Sequence, residues 1–173
     1  MSDGEGPETG TEGGATGNAE HDHVIVLVAA IDTSSMASEV VETASRFARR
    51  AWPVAQLHFV HVFRTARFDR RANAGLSTDE LLADAQSYLD HYARMARRLF
   101  AGSVTGHLAQ GDPASEIVQR AQSLAADWLL IGTHDTHGLE RLLLGSVADK
   151  VAKSAPCSVM VVRKKRRPFV KVP

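Results

Sequence analysis

"VIVLVAAIDTSS", residues 24–35, decides the fold. Eight apolar residues run without a polar break and stop at Asp32. A strand with one wet face alternates apolar and polar side chains, so an unbroken run of this length reads as a strand covered on both faces. Such strands belong to parallel sheets flanked by helices. After it, Ser34 and Ser35 are both candidates to cap a helix, and Val40, Val41, Ala44, Phe47, Ala48 and Ala51 then recur at helical spacing up to Pro53. The stretch therefore predicts one strand-and-helix unit of a wound α/β sheet.

Working outward, the pattern repeats. "QLHFVHVF" (56–63) is a second strand, followed by an arginine-rich polar loop. Ser77 and Glu80 have the spacing of a capping box, and Leu81, Ala85, Leu89, Tyr92, Ala96 and Leu99 mark the buried stripe of a long second helix. A third strand is expected around Val104 to Ala109. In its exit, "GDPASEI", Asp112 is placed to cap a helix and Pro113 to occupy its first turn; this helix is expected to reach about Ala126. "WLLIG" (128–132) is a fourth strand, Ser146 opens a short helix stopping near Pro156, and "SVMVV" (158–162) is a fifth strand. Five strands alternating with about four helices predict an α/β fold, a Rossmann-like, doubly wound parallel sheet with right-handed crossovers.

The chain's 173 residues suffice for one core. Its zero formal charge is unevenly laid out: residues 1–23 hold six acids, six glycines and no Lys or Arg, whereas residues 163–173 hold six bases and no acid. The head has too few apolar residues to offset the entropy of ordering and is expected to be disordered. The domain is expected at 24–163, with a basic tail at 164–173. Head and tail, minus six against plus six, are expected to pair transiently. No segment reads as a signal peptide or reaches the roughly 18 apolar residues of a membrane span, so a cytoplasmic location is expected. The single Cys157 excludes an intrachain disulfide and reads as buried rather than reactive.

In wound sheets ligands sit at the carboxyl ends of the strands, where the strand order switches. Asp32, Val62, Gly111 and the loop from Gly132 are thereby brought into question together. In "GTHDTHGLERLLLGS" (132–146), Gly145 and Ser146 stand at a helix start, where unpaired N–H groups and the helix dipole suit an anion. Ser146 has a second reading as a simple cap of its own helix. Neither a Walker-type GK[ST] run nor GxGxxG is present, which disfavours both common phosphate folds.

Residues 24–163 as a whole resemble a universal stress protein domain, through "VIVLVAAIDTSS", "LHFVHV", "GDPASEI" and, most specifically, "GTHDTHGLERLLLGSVADKVAKSAPCSVMVV". The ATP-binding branch of that family carries a glycine, two residues, a glycine, nine residues, and a glycine followed by Ser or Thr. Gly132 matches the first glycine and Gly145 with Ser146 the last pair; Asp135 replaces the middle glycine. The resemblance implies ATP as ligand, with Asp32 on the ribose or adenine, the Val62 backbone at the adenine edge, His134 beside the phosphates, and Gly145, Ser146 and Val147 on them. It also implies a homodimer joined through the final strand, 158–162, acting in the stress response.

Asp135 is tolerable to a backbone at positive φ. Its charge is the larger matter: about 4 Å from a phosphate it costs roughly 1 kcal/mol in watery surroundings and about 4 kcal/mol in a partly buried site. Binding would weaken between about fivefold and several hundredfold, unless Mg²⁺ bridges the carboxylate and the phosphates. A non-nucleotide-binding dimeric protein is the alternative that follows; another is a nucleic-acid-associated protein acting through "RKKRR" (163–167), with salt-sensitive affinity.

Other groups read as structural. His134, Asp135 and His137 cluster without a further ligand nearby, so no metal is expected. His21 and His23 lie in the polar head, and His58 and His61 on the second strand are expected to be packed and hydrogen-bonded. No nucleophile–base pair stands out, and Ser34 and Ser35 lack a GxSxG setting, so no catalytic residue is assigned and any ATP hydrolysis is expected to be slow and incidental.

Overall fold

The computed structural model describes residues 24–51, 54–63, 77–133 and 144–164. Their elements alternate in the expected sequence: β1 (Ile25–Ile31), α1 (Met36–Ala51), β2 (Ala55–Phe63), α2 (Thr78–Leu99), β3 (Ser103–Gln110), α3 (Pro113–Ser123), β4 (Trp128–Gly132), α4 (Ser146–Ser154) and β5 (Ser158–Val162). Every ladder is parallel, and the strand order is β3-β2-β1-β4-β5. The chain winds outward from β1 in one direction, then returns past it and winds in the other.

The unbroken apolar run of β1 has its explanation in two cores. Leu27, Ala29 and Ile31 enter the core roofed by α1 and α2, while Val28 and Ala30 enter the core roofed by α3 and α4. The winding direction and the roofed face reverse together, as a constant crossover hand requires. Leu27, Val28 and Ala29 are fully buried, and sequestering a side chain of Leu or Val size contributes about 2 kcal/mol.

Helix starts follow their capping chemistry. Ser77 accepts from the Glu80 amide at 3.2 Å while Glu80 returns a bond to the Ser77 amide at 2.7 Å, completing the capping box. These bonds favour the ionised form and hold the Glu80 carboxyl below its usual range. Asp112 accepts from the Ser115 amide at 3.1 Å, with Pro113 opening α3 as expected. The end of α3 differs from expectation: it stops at Ser123, not near Ala126. Ala126 N–H reaches back to Ala121 C=O at 2.9 Å and Ala125 N–H to Gln122 C=O at 3.0 Å, the two bonds of a Schellman closure. Ala125 takes the left-handed position, φ 48°, that glycine usually fills.

The stripe of α2 is also shifted in detail. Ala85, Leu89, Ala93 and Ala96 are its buried residues, with Tyr88 and Tyr92 packed partly buried against the same core. Leu89 lies against Gly106 of β3, where an added Cβ would come within 2.9 Å of Leu89 Cγ. That glycine is what lets a leucine from α2 sit down on the strand.

Candidate functional site

All five strands point the same way, so their carboxyl ends form one edge. β1 and β4 are neighbours there, and the chain leaves them toward opposite faces: β1 feeds α1 on one side, and β4 leads through the 134–143 segment to α4 on the other. The switch point of the sheet is therefore the crevice between Asp32 and Gly132. Helix α4 belongs to this edge by arithmetic. Three residues separate its end from the start of β5, at the opposite edge, and nine helical residues span about 13 Å, close to the roughly 16 Å of a five-residue strand. Helix α4 therefore runs back along the sheet from the start of β5 toward the edge where the strands end.

The β1 side is tied down. Asp32 Oδ1 accepts both the Ser34 amide (3.0 Å) and the Ser34 hydroxyl (2.5 Å). Ser34 Oγ in turn accepts the Met36 amide at 3.1 Å, which starts α1. Of the two serines considered as caps, Ser34 takes that role; Ser35 offers its carbonyl to the Ser38 hydroxyl. Asp32 itself is solvent-exposed, a carboxylate fixed at the lip of the crevice.

Next to it, the β1–β2 ladder ends at Ile31 against His61, whereas β2 continues through Val62 to Phe63, paired with β3. Val62 thus forms a ledge of backbone beyond the end of β1, half-buried. Gly111 ends β3, two strands from β1, about 10 Å at ordinary strand spacing. Its φ is +157°, and a Cβ there would meet Glu116 Oε1 at 2.6 Å, so a turn with a carboxylate folded over it accounts for this glycine. Gly132 likewise has a packing reason: a Cβ would lie 3.2 Å from both Met36 Cβ and Val40 Cγ2, so the missing side chain lets α1 draw close to the end of β4.

The α4 side is arranged differently. Gly145 is the N-cap, at φ −55°, with no side-chain cap, and the reading of Ser146 as the cap of its own helix is corrected: Ser146 is the first helical residue, exposed, with Val147 and Leu144 packed into the core behind it. The Asp149 amide to the Gly145 carbonyl, 2.9 Å, is the helix's opening bond, so the preceding amides have no intrahelical acceptor. A polar crevice with a fixed carboxylate on one wall and an uncapped helix start on the other can take a ligand with hydroxyl or amine donors at one end and an anion at the other.

Of the residues the sequence singled out, Asp32, Val62 and Gly132 stand at the carboxyl ends of β1, β2 and β4, Gly145, Ser146 and Val147 form the start of α4, and Gly111 follows β3, two strands from β1. His134 and Asp135 lie outside the described residues, as do His137, the head and residues 165–173. Two neighbours of the β1 and β4 ends, and one histidine on β3, escaped the sequence reading. Thr133, buried, donates its amide to Val162 C=O at 3.0 Å and prolongs the β4–β5 pairing. Tyr88 donates its hydroxyl to Asp32 C=O, a contact that nothing local in the sequence announces. His107 on β3 pairs with His58.

The expected structural roles of His58 and His61 hold. His61 Nδ1 bonds Ile31 C=O at 3.0 Å; His58 Nδ1 lies 2.9 Å from His107 Nε2. Burial, then the Arg120 charge, lowers the affinity of both members of the His58–His107 pair for a proton, and His107 falls to about 4. Cys157 is half-buried rather than buried, its thiol pushed up by burial and by the Asp127 charge, so it makes a poor thiolate. A concavity lined by Asp112, Ser115, Val118, Lys150 and Lys153 lies between α3 and α4. Among the described residues no helix is long and apolar enough to cross a membrane.

A parallel sheet wound in both directions from β1 defines an open α/β domain, and the comparisons place it among known proteins. Residues 26–163 match the model of the universal stress protein family. The chain belongs to that family. It is 38% identical over 92 residues to a universal stress protein of Methanocaldococcus jannaschii, covering 53% of this chain and 54% of that one, about half the length of that relative. A Bacillus subtilis universal stress protein is 26% identical over 147 residues, covering 79% and 97%. Among solved structures, the Archaeoglobus fulgidus universal stress protein in complex with dAMP superposes with a TM-score of 0.59 at 23% identity, over 81% of this chain and 98% of that one. An Arabidopsis thaliana family member with AMP bound gives 0.55 at 15% identity, over 82% and 93%, and a universal stress protein in complex with cAMP gives 0.62 at 24%, over 80% and 96%.

Proposed function

We propose that this chain binds an adenine nucleotide in the β1/β4 crevice and works as a nucleotide-linked regulatory homodimer of the cytoplasm in the stress response, without turnover as its purpose. The observation that carries the reading is the pairing of a fixed carboxylate, Asp32, with the uncapped start of α4 across the switch point. The carboxylate suits ribose hydroxyls or the adenine amine, the Val62 ledge suits the adenine edge, and the amides of Gly145, Ser146 and Val147 suit phosphate. Relatives of the same fold hold AMP, dAMP and cAMP, which supports the ligand class. The β5 strand supports the dimer: it closes one side of the sheet, and Val159, Met160 and Val161 are only partly covered, an apolar edge that invites pairing.

Calorimetric titration of the full chain with ATP and with AMP, each with and without Mg²⁺, tests the reading. Binding is expected in the micromolar to millimolar range. ATP binding that appears only with Mg²⁺ assigns the metal to the bridge between Asp135 and the phosphates, and Asp135→Gly should then bind ATP without it. No heat at millimolar nucleotide in any condition overturns the nucleotide reading and leaves the non-binding dimer, which equilibrium sedimentation checks separately.

A further inference from the structure

Two successive carbonyls at the end of β1 are gripped by side chains from other elements. His61 of β2 holds Ile31 C=O through Nδ1 at 3.0 Å, and since a carbonyl can only accept, Nδ1 carries the proton. Tyr88 of α2, fifty-six residues along the chain, donates its hydroxyl to the next carbonyl, that of Asp32. The two gripping rings touch, with centroids 5.2 Å apart at 46°. Tyr92 buttresses Tyr88 edge-on at 4.9 Å and 64°, and His91 closes on Tyr92 at 5.0 Å and 89°. None of these contacts is needed to complete the sheet, because the β1–β2 ladder already ends at the Ile31–His61 pair. What they fix is the peptide that carries the Asp32 side chain.

We propose that Tyr88, backed by His61, is a positioning residue that clamps the Asp32 peptide and so aims the Asp32 carboxylate into the crevice. The ligand part of this assignment rests on the nucleotide reading above; the clamp does not. Burial, the Tyr92 hydroxyl and the Asp32 charge, in that order, push the phenol of Tyr88 up from its ordinary value, so it remains a proton donor at physiological pH. With the carbonyl held on one side and the carboxylate held by Ser34 on the other, Asp32 loses its rotational freedom before a ligand arrives. That order lowers the entropic cost of binding.

The test is Tyr88→Phe in the full chain, which removes one hydroxyl and keeps the ring stack. Amide exchange measured by NMR should quicken about fivefold at Ser34 and Met36, the amides bonded to Asp32 Oδ1 and Ser34 Oγ, while the amides of β2 stay at their wild-type rates. AMP affinity should fall about fivefold with little change in the urea midpoint. Wild-type exchange at Ser34 and Met36 in the variant overturns the clamp whatever the nucleotide does. If instead the exchange responds and neither protein binds AMP, the clamp stands and the nucleotide reading falls. Equal quickening across β2 would mean the hydroxyl merely stabilises the fold, which also overturns the proposal.

Discussion

Helices α1 and α4 begin on the same edge of the sheet, on either side of the β1/β4 junction, yet they begin in opposite ways. At α1 the chain satisfies itself: Asp32 holds Ser34, Ser34 caps Met36, and Tyr88 holds Asp32 from behind. At α4 a glycine occupies the cap and brings no side chain, so among the described residues no side chain takes the first amides of the helix. The difference teaches how one crevice can be both rigid and receptive. On the proposed reading, the wall that offers an acceptor has it locked in place, and the wall that offers donors has no side chain capping them among the described residues.

The comparison can be broken most forcefully at its base. Gly132→Val would drive a side chain into Met36 and Val40, both 3.2 Å from the position of the first added carbon, and separate α1 from the end of β4. A loss of about 2 kcal/mol is expected from overpacking, measured as a lower urea midpoint at unchanged slope.

Acid should act on the His58–His107 pair, away from the β1/β4 junction. The unfolded His107 takes up a proton near pH 6.5, whereas the folded residue resists until about 4, so folding loses stability as pH falls through that window and the loss levels off below it. For a half-exposed ring, solvent screening reduces the effect to about 1 to 2 kcal/mol. Urea titrations at pH 7 and pH 4.5 should show it, and His107→Gln should remove most of it, leaving the smaller share of His58.

The two helix starts can then be compared directly. Ser34→Ala removes a cap and should cost about 1 kcal/mol. Ser146→Ala, at a position that caps nothing, should change stability by less than about 0.5 kcal/mol while weakening nucleotide binding. Equal stability losses for the two serines, read from parallel urea melts, would erase the distinction between the walls.

Much of the architecture was legible before any coordinates. The unbroken run from Val24 demanded cover on both faces, and Ser77 with Glu80 and Asp112 with Pro113 announced their helices by chemistry that acts within four residues. The end of α3 was hidden because Ala125 takes a backbone position that glycine would have advertised. The start of α4 at Ser146 was legible, and of the two readings of that serine the structure keeps the helical one: the chain turns at Gly145 and takes Ser146 into the helix. At the crevice, Asp32 and Ser146 were visible from strand ends and helix starts. Tyr88 was not, since a tyrosine on a helix face has no local feature that says which distant carbonyl it will meet.

The strand order carries a kinetic implication. β1 meets β2 and β2 meets β3 through short sequence separations, but β1 meets β4 across a long one: the Val26 amide bonds the Asp127 carboxylate at 2.8 Å, 101 residues apart. Closing that loop is the entropically late event, so the half-sheet β1–β3 is expected to assemble first and the proposed cleft to come into being only as β4 docks. A molecule seated there grips the last seam to form. Its hold should therefore appear as slower unfolding, with the rate of folding almost untouched.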